Sequence, residues 1–337
     1  MSKVLCFGEL LLRYSPELGG KWISDRSMPV FIGGAELNAA TALALWKVPV
    51  AYCTALPDHY LSHEIIDFIE SKRIDSSRIQ FSGSRIGSYF LPQGADLKAA
   101  GVIYDRAHSS FWDLKPGEVD WDNVLEGVSW FHFSAISPAL NAHAALVCRE
   151  ALEAASSKNI TISVDLNYRA KLWQYGAQPV DIMPDLVQYC NLVMGNIWAA
   201  EKMLGMAVSS KMSPDKESYL EQSARTSAAI MKAFPKCTQV ANTFRFDQGN
   251  GIQYYASLFT GDQMHVSSEH GTDRIIDKVG SGDTFMAGLI YGNYHRLPPQ
   301  ETINFSAAAA FSKLFVKGDA TTKSADEIKK LYTTHAS

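Results

Sequence analysis

Short apolar runs alternate with amphipathic stretches along most of the chain. VLCFG, at the start, has the unbroken apolar pattern of a buried strand. ELNAATALALW (36–46) follows a glycine pair with the small and apolar spacing of a helix, and VAYCTAL (50–56) is strand-like again. HEIIDFIESKRI (63–74) is an amphipathic helix. WFHFSAI (130–136), ITISVDLN (160–167) and CNLVMGN (190–196) read as buried strands, with helices over 143–159 and 201–206. Such alternation predicts an α/β fold, a mostly parallel sheet flanked by helices. Ligands of these sheets bind beyond the carboxyl ends of the strands.

Two segments break the rhythm. Residues 11–32 and 81–107 show strand-like alternation with Gly and Pro but no helical period. They predict a small β-subdomain over one edge of the sheet, inside a single domain spanning 1–337. The polar stretch 207–221 reads as an exposed loop leading into a helix.

Composition changes this picture little. The chain has 337 residues, 47% hydrophobic and 20% charged, enough for a large core. A formal net charge of -4 provides no basic field for nucleic acid. No run approaches the ~18 apolar residues of a membrane helix. Glu9 and Arg13 interrupt the first apolar run, a poor signal peptide, so a cytoplasmic protein without membrane partners is expected. The five cysteines form no CxxC pair and predict free, buried thiols.

Candidate chemistry lies in two glycine turns that open helices. In DKVGSGDTFMAGLIYG (277–292), the backbone amides around Gly280, Ser281 and Gly282 can cradle an anion at a helix N-terminus. Asp283 then stands where a carboxylate takes a proton from an attacking alcohol, or else it caps the helix. In FIGGAELNAA (31–40), Gly33 and Gly34 permit close backbone approach, and Asn38 can point from the first helical turn toward a polyol. A plain packing turn is the alternative.

In order and spacing, the pair GGAELNAA and DKVGSGDTFMAG resembles the two signatures of the ribokinase-like (PfkB) sugar kinases, over roughly residues 3–320. The resemblance implies a ribokinase-like fold with a β-lid at 11–32 and 81–107, with Asp283 as catalytic base and Gly280, Ser281 and Gly282 as anion hole. HFSAISPAL (132–140), SVDLNYRAKLW (163–173) and GVIYDR (101–106) are similar to the family's 2-keto-3-deoxygluconate kinases. That implies a sugar acid held by Tyr89, Tyr104, Arg106 and Arg169, beside Gly33, Gly34 and Asn38. Two arginines suit a carboxylate, which a guanidinium grips with parallel hydrogen bonds, although a structural pairing of Arg169 with Asp165 or a neighbouring acid is the alternative.

On the nucleotide side the resemblance implies ATP and Mg²⁺, with Asn167, Asn196, Thr243, Arg245 and Lys278 as contacts, and a homodimer or higher homo-oligomer. Three departures stand out. Lys278 replaces the family's usual Thr, and its charge can stand in for K⁺. The Asn-x-x-Glu motif reads Asn196 to Ala199, with Glu201 two residues on, and the nucleotide loop VANTFRFDQGNG (240–251) lacks the family's usual turn. A kinase for a neutral sugar such as fructose or ribose, or a sugar-binding protein without catalysis, is the rival reading.

Overall fold

The structure is a computed structural model that describes residues 2–17, 20–93, 101–248 and 251–333. Those parts of the expectations that fall on 1, 18–19, 94–100, 249–250 and 334–337 lie outside the described residues.

The first half of the chain runs β1 (Lys3–Phe7), β2 (Leu11–Tyr14), β3 (Val30–Gly33), α1 (Ala35–Leu45), β4 (Val50–Cys53), β5 (Ala55–Leu56), α2 (Tyr60–Ser71), β6 (Gln80–Phe81), β7 (Gly87–Phe90), β8 (Ile103–Asp105), α3 (Trp121–Val124), β9 (Val128–Ser134), α4 (Ala142–Ser157) and β10 (Thr161–Asp165). The second half runs α5 (Pro179–Val187), β11 (Leu192–Gly195), α6 (Ile197–Leu204), α7 (Lys216–Ala233), β12 (Gln239–Gln248), β13 (Gly251–Thr260), β14 (Gln263–Val266), β15 (His270–Thr272), α8 (Ser281–Tyr294), α9 (Pro299–Lys313) and α10 (Ala325–Thr333).

Among the described residues, nine strands form the main sheet, in the order β14-β13-β12-β11-β10-β9-β1-β4, with β15 also paired to β13. From β4 to β12 every pairing is parallel; β13, β14 and β15 join antiparallel. Both faces of the parallel part are covered, which explains why its strands read as unbroken apolar runs. Successive residues of β1 show the division. Leu5 and Phe7 belong to the apolar cluster that includes residues of β9, β10, α4 and α5, whereas Val4 and Cys6 belong to the one that includes residues of α1, α2, α8 and α9. All five cysteines are free and buried.

A separate four-stranded sheet, β3-β2-β7-β8, is built from the two segments that lack helical period. Gly33, one residue past the expected 11–32 boundary, is its last residue on β3. One local expectation needs correction. Helix α6 begins at Ile197 rather than 201, because Asn196 caps it by accepting from the Ala199 amide (2.7 Å). Helix α8 begins at Ser281, two residues before Asp283. The stretch read as a nucleotide strand and loop is strand as far as Gln248, paired with β13, and its loop part at 249–250 lies outside the described residues.

Candidate active site

The carboxyl ends of β1, β9 and β10 meet the amino ends of α1 and α8. At the later glycine turn, Gly280 caps α8 in the left-handed region (φ 80°). A side chain there would collide with the Asp319 carbonyl, so this glycine is required by packing. Gly282 is different: it is exposed, and nothing lies within 4 Å of where its Cβ would stand. Its surroundings are open to an incoming group. The Ser281 hydroxyl donates to the Ala310 carbonyl (2.9 Å), which leaves the backbone as this residue's offering to an anion.

Asp283 lies in the first turn of α8, half-buried, and accepts from Asn38 Nδ2 (2.7 Å). Asn38 thus joins the two glycine motifs directly, across 245 residues of chain. Burial pushes the Asp283 carboxyl up to about 7 against the pull of Asn38; Asp165 and Glu36 push it further, and Arg169 opposes them. A carboxylate poised near neutrality is suited to proton abstraction.

The earlier turn is tightly enclosed. A Cβ on Gly33 would meet the Asp319 carboxylate, and one on Gly34 (φ 130°) would meet the Glu9 carbonyl. In α1, Glu36 accepts from both the amide (2.8 Å) and the hydroxyl (2.6 Å) of Ser134, while burial raises it to about 7.

The sugar-acid candidates divide. Tyr89 donates its hydroxyl to Asp319 Oδ2 (2.9 Å) and is buried. Tyr104 pairs with it across β7 and β8, their ring centroids 6.4 Å apart. Arg106 is buried against Glu9, with Nε and Nη2 both 2.6 Å from Oε2, and Ser109 occupies Oε1 (2.5 Å). Arg169 is half-buried and bonds only the Tyr168 carbonyl (3.2 Å) among the described residues. It is also near enough to act on Asp283. Asn167 takes a positive φ (26°) as its amide donates to Asp165 Oδ1 (3.0 Å).

On the nucleotide side, Asn196 sits at the end of β11 as the α6 cap. Glu201 turns toward the Val208 amide (3.5 Å), so it does not replace the glutamate absent at Ala199. Thr243 and Arg245 lie two apart on β12, both half-buried, opposite Ala256 and Tyr254. Lys278 is only 18% exposed and reaches Asp247 Oδ1 (3.3 Å) rather than pointing into solvent. No group of three His, Cys, Asp or Glu side chains poised for a metal occurs among the described residues. A Mg²⁺ carried by phosphates and waters needs no such cage.

One cluster escaped the sequence reading. Arg13, fully buried on β2, bridges Asp277 and Asp319 at 2.8 Å each, with its guanidinium 4.6 Å from the Phe31 ring centre. Lys313 is fully buried nearby. Burial lowers its ammonium to about 8, Asp277 and Asp319 oppose that shift, and Arg13 adds to it. The available signal was a charge inside an apolar run, in LLRYSP and again in AAAAFSK.

Comparison with known proteins matches this arrangement. A 2-dehydro-3-deoxygalactonokinase of Haloferax volcanii is 26% identical over 330 residues, covering 98% of this chain and 96% of the relative. The crystal structure of a 2-dehydro-3-deoxygluconokinase from Thermotoga maritima superposes with a TM-score of 0.89 at 32% identity, over 99% of this chain and all of the other. A fructokinase from Xylella fastidiosa, solved with bound ATP, shares the fold at 16% identity (TM-score 0.76, 99% of each chain). Residues 1–326 match the family described as pfkB family carbohydrate kinase, and with its two glycine motifs joined at Asn38 and Asp283 the chain belongs to that family.

Proposed function

We propose that this carbohydrate kinase transfers the γ-phosphoryl group of ATP to the terminal hydroxyl of a 2-dehydro-3-deoxy sugar acid. The observation that carries the reading is Asp283, set one residue behind the open Gly282, held by Asn38 and raised toward neutrality. The start of α8 offers its amides and the positive end of its dipole to phosphoryl oxygens. Asp283 takes the hydroxyl proton as the sugar oxygen bonds to the γ-phosphorus and the bond to the β-phosphate oxygen breaks. Mg²⁺ travelling with the nucleotide neutralises phosphate charge, and the protein contributes position. Asn167, Asn196, Thr243, Arg245 and Lys278 line the approach assigned to the nucleotide.

Arg169 is the guanidinium left to meet the substrate carboxylate. The two relatives named for 2-dehydro-3-deoxy acids support that class. The β3-β2-β7-β8 sheet, carrying Tyr89 and Tyr104, serves as the lid that keeps water from the donor. Its edge strands expose Val30 (49%) and Ile103 (62%), which supports pairing of lids in a homodimer. A neutral-sugar kinase is favoured by one observation, the full engagement of Arg106 by Glu9.

A panel of 2-dehydro-3-deoxygluconate, its galactonate epimer, fructose and ribose decides between them. ATP-dependent turnover should be confined to the two acids. Arg169→Ala should cost roughly 1.5–3 kcal/mol in kcat/KM on them, as for a charged hydrogen bond. Faster turnover of fructose or ribose would overturn the acid assignment.

A further inference from the structure

A lysine cut off from solvent stands beneath the Gly280–Gly282 turn. Lys313 ends α9 and donates from Nζ to the Val316 carbonyl (3.0 Å). Its Cε lies 3.5 Å from the point where a Cβ on Gly280 would stand. Around it the two carboxylates of Asp277 and Asp319 are matched by two bases, Arg13 and Lys313 itself.

The loop that Lys313 grips is laced to the segment leading into the turn. The amides of Ile276 and Asp277 both donate to the Leu314 carbonyl (2.8 and 3.2 Å), and the Gly318 amide donates to Asp277 Oδ2 (3.3 Å). The same loop brings the Asp319 carbonyl against Gly280. Whatever fixes residues 314–319 therefore fixes the backbone at Gly280.

Packing alone does not account for an ammonium here. Burying one is unfavourable unless its partners compensate, and a Leu or Met would fill the space without that cost. The negative end of α9 adds to the attraction for a cation at this position. Lys278, the residue whose charge the sequence offered in place of K⁺, reaches instead to Asp247 on β12.

We propose that Lys313 is a tethered monovalent cation, a positioning residue that holds the Gly280–Gly282 turn in its working shape, so that phosphoryl transfer proceeds without free K⁺. The inference rests on the reading of that turn as the phosphoryl cradle. Without the lysine the enclosed cluster carries one uncompensated negative charge and a space the size of a small cation. A diffusible cation of that size then fits where the ammonium was.

The test is turnover of the full-length protein with ATP, Mg²⁺ and 2-dehydro-3-deoxygluconate, in the chloride of K⁺, NH₄⁺ or tetramethylammonium. The wild type should give the same kcat in all three. Lys313→Ala should lose roughly 10²-fold in kcat in tetramethylammonium, the usual cost of misplacing reacting groups by about 1 Å. K⁺ or NH₄⁺ should restore most of that loss with little change in sugar KM. A wild type that stalls in tetramethylammonium and recovers with K⁺ overturns the proposal. So does a folded Lys313→Ala that keeps full activity, or one whose loss no cation repairs. If Lys313→Ala does not fold, Lys313→Gln, which retains a donor for the Val316 carbonyl, is read the same way. A wild type inactive on every sugar in every salt instead refutes the kinase reading on which the proposal rests.

Discussion

The two glycine turns resemble each other in sequence and differ in what surrounds them. At 33–34 both glycines are enclosed, one against the Asp319 carboxylate and one against the Glu9 carbonyl. At 280–282 the first glycine is enclosed in the same manner, but Gly282 faces open space. The earlier turn is a joint that brings α1, the four-stranded sheet and the C-terminal loop together. The later turn is a joint at Gly280 and open at Gly282, where the proposed phosphoryl cradle would form. A glycine pair before a helix therefore does not by itself identify a phosphate cradle. Exposure and free space at Gly282 set the second turn apart from the first.

Substitutions can break this contrast. Asp283→Asn carries the largest expected effect, a fall in kcat of about 10²–10⁴-fold with sugar binding little changed, the range for acid–base assistance. Near-full turnover in that variant would remove the later turn from the chemistry. The glycines should then separate. Gly34→Ala should cost roughly 1–3 kcal/mol of stability, because it forces both a strained backbone and a collision. Gly282→Ala should leave the melting temperature nearly unchanged and raise the KM for ATP. Equal thermal losses in the two variants would erase the distinction drawn here.

The pH dependence sharpens the comparison further. A base near 7 must be ionised to act, so kcat/KM should fall as pH drops below about 7. The stability effect has the opposite sense. The Asp283 carboxyl is raised above its ordinary 3.8, so between there and about 7 the folded state holds a proton that the unfolded state has lost. The stabilisation from this group is present at low pH and is lost as pH rises through the folded value. Asp283→Asn should therefore melt above the wild type at about pH 8, with the gap closing toward about pH 4. A gap independent of pH would mean the carboxyl titrates normally. The smallest effect belongs to Lys278, whose partner Asp247 is 64% exposed. Lys278→Thr should change ATP affinity by no more than about fivefold, the scale of a screened ion pair worth ~1 kcal/mol, and added K⁺ should make no difference.

Much of the parallel sheet was legible because strands buried on both faces have a simple pattern. VLCFG, WFHFSAI and ITISVDLN fall on β1, β9 and β10 with ends shifted by a residue or two. The antiparallel extension was harder to read. GIQYYASLFT mixes polar and aromatic positions, so its strand lacks the unbroken apolar pattern of the parallel part. Helix α9 was not assigned because AAAAFSK is small or apolar on every side, as a helix enclosed all round must be. At the site, motif spacing located Asp283 and Asn38 but not the side chains' partners. Nothing local in GVIYDR states that Arg106 is engaged by Glu9, and nothing near Lys313 names Asp277. These pairings depend on how distant segments fold back on each other.

The hydrogen bond from Asn38 to Asp283 has a bearing on synthesis. Its partners are 245 residues apart, and the ion pair of Arg13 with Asp277 spans 264. A nascent chain can complete its first strands and helices long before either contact exists. Asp283, the proposed base, its partner Asn38 and the counter-charges of Arg13 come together only after the segment through Asp319 has left the ribosome. A partly made chain thus has no assembled centre with which to consume ATP. A product truncated ahead of Asp319 would carry a buried arginine that lacks one of its two acids, a defect that favours unfolding and clearance over partial activity.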